Sequence, residues 1–340
     1  MKVTNSILER IGNTPLVKLR KVTAGLDANV YVKCEYLNPS GSYKDRMALR
    51  MIEEAEKAGK LRKGGTIIEG TSGNTGPAIA FVGGVKGYKV RLFIPSRWVG
   101  AYNPTERIQI MKAFGAEVET YDRSQILAQY ENALKGFSEA DRGVASLLAG
   151  MKNSYEVEKS DPKNWWANQM CNPDNPAAHR DTTGKEIWEQ LDGKVDAWIA
   201  SIGSAGVFLG VAETLRKGNP SVNAVGVQPV DVPIVDLIKD GKLDKLFEVF
   251  DMPRMKFIIE TMLEKKLPDS MITASDEQAR PMMYRLCAEE GFFCGMSSGA
   301  NVYAAIQVAK KLGKNSNVVT VLVDRRDRYF SEYPNEHYVV

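Results

Sequence analysis

The feature that most constrains this chain is a repeated alternation of short strand-like runs with amphipathic segments of helical length. Strand patterns at residues 66–69, 89–94 and 117–121 are separated by helical patterns at residues 76–86 and 105–114. A rhythm of strand, helix and strand is typical of βαβ units, which build parallel sheets with helices on both faces. The sequence therefore predicts an α/β fold.

One interruption divides this rhythm into two blocks. A Trp- and Asn-rich stretch at residues 164–175 breaks the alternation, which then resumes with a strand pattern at residues 195–200. At roughly 150 residues per domain, the 340 residues suggest two lobes. We predict two three-layer α/β/α lobes with mostly parallel sheets: a smaller lobe over about residues 46–150, and a larger lobe over about residues 13–45 plus 151–333. The predicted helices lie at residues 46–58, 76–86, 105–114, 124–140, 183–191, 206–218, 276–290 and 301–312.

Composition narrows the classes of function. The 45 Lys and Arg residues against 42 Asp and Glu leave a net charge of +3, and they are spread along the chain, so no nucleic-acid or membrane partner is expected. Four cysteines without a CxxC pair and only two histidines argue against a zinc site, and favour reduced thiols of an intracellular protein. No N-terminal apolar core or run of 18 apolar residues occurs, so we expect a cytoplasmic protein.

Four short loops lie where predicted strands are followed by helices, the places where α/β folds bind ligands. The first, at residues 38–46, puts Lys44 at the start of a helix, where a cation is unfavourable and a neutral amine is not. A Schiff-base lysine fits that position, and so does a solvated lysine beside Asp45. The second loop, at residues 69–76, offers glycines, hydroxyls and amide N–H groups to a carboxylate or phosphate, or forms an ordinary capped turn.

The other two loops are similarly open to more than one interpretation. Residues 203–210 could surround a phosphate, but they lack the GxGxxG fingerprint, which disfavours a dinucleotide. Residues 294–301 could present a hydroxyl to a ligand, or Ser298 could simply cap the helix that follows.

Taken in order, these loops resemble those of the fold-type-II enzymes that use pyridoxal phosphate (PLP), specifically the cysteine synthase and cystathionine β-synthase family. The resemblance implies the tryptophan-synthase-β-like fold and PLP as cofactor. The matching segments are residues 7–17, 38–46, 71–76, 115–117, 172–176, 182–184, 203–210, 297–300 and 327–331.

The same resemblance implies roles for individual residues. Lys44 matches the lysine that forms the Schiff base and shuttles the Cα proton. The residues matching substrate-carboxylate contacts are Thr71, Ser72, Asn74, Thr75 and Gln169. Besides Lys44, the residues matching cofactor contacts are Asn74 at the ring hydroxyl, Gly203, Ser204, Ala205, Gly206 and Val207 at the phosphate, and Ser297 at the pyridine nitrogen.

The implied reaction is a β-replacement on an activated L-serine. A serine at the pyridine nitrogen, unlike a carboxylate, does not hold that nitrogen protonated, which favours loss of the β-leaving group over transamination. O-acetylserine or O-phosphoserine would give an aminoacrylate, and a thiol or sulfide would add to it, giving L-cysteine or a related amino acid. The alternatives are cystathionine or diaminopropionate synthesis with another nucleophile, β-elimination of the cysteine desulfhydrase or serine dehydratase type, and a non-catalytic binding protein. The resemblance also implies a homodimer.

Three departures from the family pattern concern the pocket. Val207 and Ala205 stand where the family usually has Thr and Gly, and Met170 replaces a residue that is often aromatic. Residues 252–260 replace a glycine-rich segment that usually closes over the substrate, and their Arg254 and Lys256 could pair with a phosphorylated leaving group or be exposed.

Overall fold

The computed structural model describes residues 3–96, 102–230 and 232–332. Within these ranges, ten strands form two sheets. Every strand pairing there is parallel except that of the first two strands. The predicted α/β fold with mostly parallel sheets is therefore confirmed.

The larger sheet has six strands in the order β1-β2-β10-β7-β8-β9. Its central strand β10 is the last of these strands in the sequence and lies between β2 and β7. Val318 of β10 is opposite Val30 of β2 on one side and Ala197 of β7 on the other. The strands of this sheet are β1 (Leu16–Lys18), β2 (Asn29–Cys34), β7 (Ala197–Ser201), β8 (Asn223–Pro229), β9 (Ser270–Ala274) and β10 (Asn317–Leu322).

The smaller sheet has the order β5-β4-β3-β6, with β3 (Thr66–Gly70), β4 (Lys89–Pro95), β5 (Glu117–Tyr121) and β6 (Asn164–Trp166). Strand β6 was not predicted, and its residues were expected in the larger lobe, yet Trp166 pairs with Ile68 of β3. We therefore propose that the smaller lobe continues to residue 166. The predicted end of the larger lobe at residue 333 lies outside the described residues.

The helices of the described residues surround the two sheets. Their bounds are α1 (Lys44–Lys57), α2 (Thr75–Val85), α3 (Thr105–Ala113), α4 (Arg123–Gln129), α5 (Glu139–Ser160), α6 (Asp174–Asp181), α7 (Thr183–Gln190), α8 (Gly206–Gly218), α9 (Ile234–Lys239), α10 (Lys242–Val249), α11 (Ile258–Glu264), α12 (Asp276–Glu290) and α13 (Met296–Ala309).

Two of the predicted helices were wrong in extent. The continuous helix predicted at residues 124–140 is two helices, because Gly136 adopts φ +90° and Ser138 starts α5 with a capping box to Asp141. The helix predicted from residue 301 begins at Met296, since Gly295 is already its N-cap residue. The predicted lobe boundary near residue 150 consequently falls inside α5.

Burial explains how the sheets are held in place. Trp198 of β7 and Phe208 of α8 are fully buried in the core of the larger lobe, whereas Met47 of α1 and Ile67 of β3 are fully buried in that of the smaller lobe. Helix α2 is buried on all sides from Thr75 to Gly83, as expected of a helix enclosed by other elements. The loops that precede α2 and α8 therefore have rigid supports.

Three further features of the described residues concern thiols, membrane-spanning helices and metal ligands. The four cysteines are unpaired. The described helices include none with the length and apolarity needed to traverse a bilayer. Residues 3–96, 102–230 and 232–332 bring no three His, Cys, Asp or Glu side chains together as a metal site.

Candidate active site

Lys44 begins α1 and is buried with its amine in a cavity between the two sheets. Burial lowers the pKa of Lys44 to about 8, while the charge of Glu69 raises that pKa in part. A lysine with this pKa is partly neutral near physiological pH. The position at a helix N-terminus, which is unfavourable for a cation, agrees with a neutral amine.

Gln169 links the lysine to the loop that precedes α2. Its Oε1 atom accepts hydrogen bonds from Lys44 Nζ at 3.3 Å and from Thr75 Oγ1 at 2.5 Å. Lys44 Nζ also lies 3.3 Å from Ser204 Oγ, just before α8. The Lys44 amine thus contacts Gln169 and Ser204 directly, and Thr75 is linked to it through Gln169.

Two buried side chains hold Gln169 in this place. Asn175 Nδ2 donates to the carbonyl oxygen of Gln169 at 2.8 Å and to Ser204 Oγ at 3.0 Å. Glu69 Oε2 accepts from the Gln169 backbone N–H at 3.1 Å. Burial raises the pKa of Glu69 to about 7. The sequence analysis gave Glu69 and Asn175 no role of their own, although both lie inside the motifs that it quoted.

The loop after β3 brings the other predicted carboxylate-binding residues to the same cavity. Thr71, Ser72 and Asn74 line it, together with Gly73 and Thr75. Thr71 Oγ1 accepts from the Gly73 N–H at 3.1 Å, which stabilises the turn. This loop leads into the N-terminus of α2, where free N–H groups favour an anion.

The predicted phosphate residues form the start of α8. Gly203 and Ser204 line the cavity, whereas Ala205, Gly206 and Val207 are buried behind them in the cap and first turn. Ala205 has φ +67°, a left-handed conformation that glycine adopts more easily, which gives the family's usual glycine a physical reason. The backbone N–H groups of this helix start, next to Ser204 Oγ, can hold a phosphate without a hydroxyl at residue 207.

Gly206 is required for a different reason. A Cβ atom there would lie 1.9 Å from Asn175 Oδ1, so only glycine allows α8 to approach the asparagine that holds Ser204 and Gln169. Ser297 is exposed in the first turn of α13 and lines the same cavity.

The cavity measures about 420 Å³ and has one apolar wall. Leu147, Met170, Val232 and Ile234 form this wall, and Met170 is buried. A larger surface cavity of about 740 Å³ around Trp165 lacks the lysine and both loops, so the smaller cavity is the candidate active site.

Residues 252–260 lie behind the Gln169 loop, where the Ile258 N–H donates to the Met170 carbonyl oxygen at 2.8 Å. Arg254 pairs with Asp244 and with Glu260, at 2.5 Å each, and Lys256 pairs with Glu264 at 2.6 Å. Neither cation lines the cavity that contains Lys44. Both are exposed, so they are not placed to contact a leaving group there.

Sequence reasoning missed a second charged group in the cavity wall. Arg107 of α3 is buried there and forms an ion pair with Glu332, which also lines the cavity. Its guanidinium lies 5.0 Å from the centre of the Tyr329 ring. No loop motif surrounds Arg107, so the sequence carried no signal that distinguished it from a surface arginine.

The chain is similar in sequence and in fold to known proteins. Residues 7–324 match the family model described as "Pyridoxal-phosphate dependent enzyme". The chain belongs to this family. It is 39% identical over 333 residues to a cysteine synthase of Staphylococcus aureus, covering 97% of this chain and 96% of that protein.

Solved structures agree with this membership of the pyridoxal-phosphate-dependent family. The O-acetylserine dependent cystathionine β-synthase of Helicobacter pylori has a TM-score of 0.80 and 30% identity over the whole of both chains. A hydrogen sulfide-producing enzyme of Fusobacterium nucleatum has a TM-score of 0.78 and 34% identity, covering 96% of this chain and all of that one. The predicted family, fold type and cofactor are confirmed, and the chain is a cysteine synthase-like enzyme.

The residues of the cavity fit pyridoxal phosphate. Gly203 lines the cavity and has open space at the position of its missing side chain, so a phosphate can approach the backbone at the start of α8. Lys44 offers an amine of lowered pKa to the aldehyde, and the N-terminus of α8 offers N–H groups to the phosphate. When bound, the cofactor supplies the electron withdrawal that makes the Cα–H bond of an amino acid acidic.

Proposed function

We propose that this enzyme replaces the β-substituent of an activated L-serine, O-acetylserine or O-phosphoserine, with a sulfur nucleophile, giving L-cysteine or a related amino acid. The observation that carries the proposal is the position of Lys44 Nζ, within 3.3 Å of both Gln169 Oε1 and Ser204 Oγ. One amine thus reaches both the proposed carboxylate loop and the proposed phosphate site.

Each of the chain's own groups has a part in the proposed reaction. The α-carboxylate of the donor binds the N–H groups and hydroxyls of residues 71–75, and Gln169 supports this loop through Thr75. Lys44 takes the Cα proton, and the Cβ–O bond breaks so that acetate or phosphate leaves with the electron pair. The sulfur of the nucleophile then bonds to Cβ, and Lys44 returns the proton to Cα.

The apolar wall supports a sulfur nucleophile. Leu147, Met170 and Ile234 present no charge to the entering group, which suits a small polarisable sulfur better than a strongly hydrated amine. Exclusion of water by these side chains also protects the donor from hydrolysis once acetate or phosphate has left.

The first test is the visible absorption spectrum of the purified holoenzyme, with O-acetylserine, O-phosphoserine, serine and cysteine added separately. We expect one activated donor to change the cofactor band, and a later addition of sulfide to restore it while L-cysteine forms. Lys44→Ala should abolish turnover and keep some cofactor through the phosphate contacts. Normal turnover by that variant would refute the assignment of Lys44.

Product analysis separates the neighbouring activities. If homocysteine is supplied as the nucleophile and cystathionine is the favoured product, the result would support the activity named for the Helicobacter pylori structure. Sulfide release from cysteine would support the activity named for the Fusobacterium nucleatum structure. Pyruvate and ammonia from every donor, without any replacement product, would overturn the proposed β-replacement.

A further inference from the structure

The turn that follows β10 is buried beside the active site, although the proposed reaction gives it no part. Asp324 and Arg328, which belong to this turn, are both fully buried. Arg328 Nη2 donates to the Ser40 carbonyl oxygen at 2.8 Å, and the Arg325 N–H donates to the Gly41 carbonyl oxygen at 3.0 Å. The turn thus holds the segment that leads to the reactive lysine.

The same turn contacts the carboxylate loop through Asn74. Asn74 Nδ2 donates to Asp324 Oδ2 at 2.6 Å, and Arg328 Nη1 donates to Asn74 Oδ1. Tyr329 donates its hydroxyl to the same oxygen of Asp324. Asn74 is therefore held between a carboxylate and a guanidinium that both come from the larger lobe.

These two partners decide which way the Asn74 amide points. A guanidinium has five N–H donors and no acceptor, so the atom that faces Arg328 must be the amide oxygen. The amide nitrogen then faces Asp324 and uses one N–H there. Its second N–H has no hydrogen-bond partner among the residues that the structure describes, and the side chain lines the cavity.

We propose that Arg328 and Asp324 are positioning residues that fix the Asn74 side chain so that it offers an N–H donor, and not its carbonyl oxygen, to the ring oxygen of bound pyridoxal phosphate. The proposal rests on the proposed function, because it requires the cofactor in this cavity with its ring oxygen near Asn74. It assigns a role to the segment at residues 327–331, which the sequence analysis matched to the family without one.

A donor at this place favours the ionised ring oxygen, whereas a carbonyl oxygen would disfavour it. The charged and titratable groups that face Asn74 and its partner Asp324 are Arg328, Arg107, the phenols of Tyr43 and Tyr329 and the Cys294 thiol, and Lys44 and Glu332 line the same cavity. Arg328 is the one of them that contacts the Asn74 oxygen. Replacing its donor-only head with an amide removes one of the two constraints on the Asn74 amide, because a glutamine can face either amide atom.

The test is a pH titration of the visible spectrum of the holoenzyme without substrate, in a double-mutant cycle of Arg328→Gln and Asn74→Ala. We expect Arg328→Gln to move the transition of the cofactor band up by about one pH unit, the effect of about one hydrogen bond to a charged group. Asn74→Ala should move it similarly, and the double variant no further. Arg328→Lys, which keeps a donor-only cation, should have a transition close to that of the wild type.

Arg325→Gln is the matched control, because Arg325 is an exposed arginine of the same turn whose side chain pairs with Asp327. It should titrate like the wild type. An unchanged titration in Arg328→Gln, or a shift that adds to that of Asn74→Ala, would overturn the proposal. If Arg328→Gln does not fold, Asp324→Asn replaces it in the same cycle with the same criterion. If the wild type binds cofactor and responds to donors but the Arg328 and Asn74 variants show no coupling in the cycle, only the positioning role is refuted. If the wild type takes up no cofactor, the proposed function is refuted as well.

Discussion

The lowered pKa of Lys44 makes a quantitative prediction about its reactivity in the cofactor-free protein. With a pKa of about 8, about a quarter of the Lys44 amines are neutral at pH 7.5, against about one in a thousand for a lysine of pKa 10.5. Because only a neutral amine attacks an aldehyde, Lys44 should react more than a hundredfold faster per accessible amine.

The perturbation is Glu69→Gln, which removes the buried negative charge that raises the pKa of Lys44. We expect the midpoint of Lys44 reactivity to move from about pH 8 to a lower pH, since burial then acts on the ammonium without this opposing charge. Glu54→Gln is the control, because Glu54 pairs with Lys57 on the surface of α1 and should leave the midpoint unchanged.

The assay is reductive methylation with formaldehyde between pH 6 and pH 10, followed by mass spectrometry of the digested protein. Lys217, which is exposed, serves as the internal reference for reagent concentration. A Lys44 midpoint at or above pH 10 would refute the argument from burial. A midpoint that rises in Glu69→Gln would refute the assigned sign of the Glu69 interaction.

Further predictions concern the supports of the site. Burial alone would raise the pKa of Glu186, but its ion pairs with Arg46 and Lys33 lower it to about 2. Stability should therefore fall by up to about 3 kcal/mol as the pH drops from about 4.5 to 2, and Glu186→Gln, less stable at pH 7, should show a shallower fall in urea unfolding. Gly206→Ala should cost about 2 kcal/mol or more in the same unfolding experiment and weaken cofactor binding at least about tenfold by fluorescence titration, because the new methyl group displaces Asn175. Wild-type stability and affinity in that variant would contradict the packing argument. Ala205→Gly should change the free energy of unfolding by less than about 1 kcal/mol. Relief of the left-handed strain stabilises the variant, whereas the lost burial of the methyl group and a more flexible unfolded chain destabilise it. A change well beyond that range by calorimetry would show that one of the three contributions is misjudged.

The sequence predicted those features that depend on local pattern. The strand at Glu117–Tyr121 and the helices at Gly206–Gly218 and Asp276–Glu290 have the predicted ends, since alternating or helical periodicity is bounded there by glycine or a capping residue. The start of α5 was missed although Ser138 and Asp141 carry a capping-box signal, because the amphipathic pattern was extended across Gly136.

What the sequence did not reveal depends on contacts between distant residues. Strand β6 has three residues, too few for any periodicity, and is defined by its pairing with β3. Glu69 is the first residue of a predicted loop, but its burial beside Lys44 follows from how the two sheets meet. Arg107 and Arg328 resemble surface arginines until the fold buries them.

The central place of β10 in the larger sheet has a consequence for synthesis on the ribosome. The smaller sheet is complete once residue 166 has emerged, whereas β2 and β7 have no strand between them until residues 317–322 have been made. An N-terminal domain generally folds first during synthesis, but here the strand from residue 29 must wait for almost the entire chain. The nascent larger lobe therefore exposes the apolar edges of both β2 and β7 from the synthesis of β7 until that of β10, and the lysine-bearing turn, which hydrogen-bonds to the residues just after β10, is completed last.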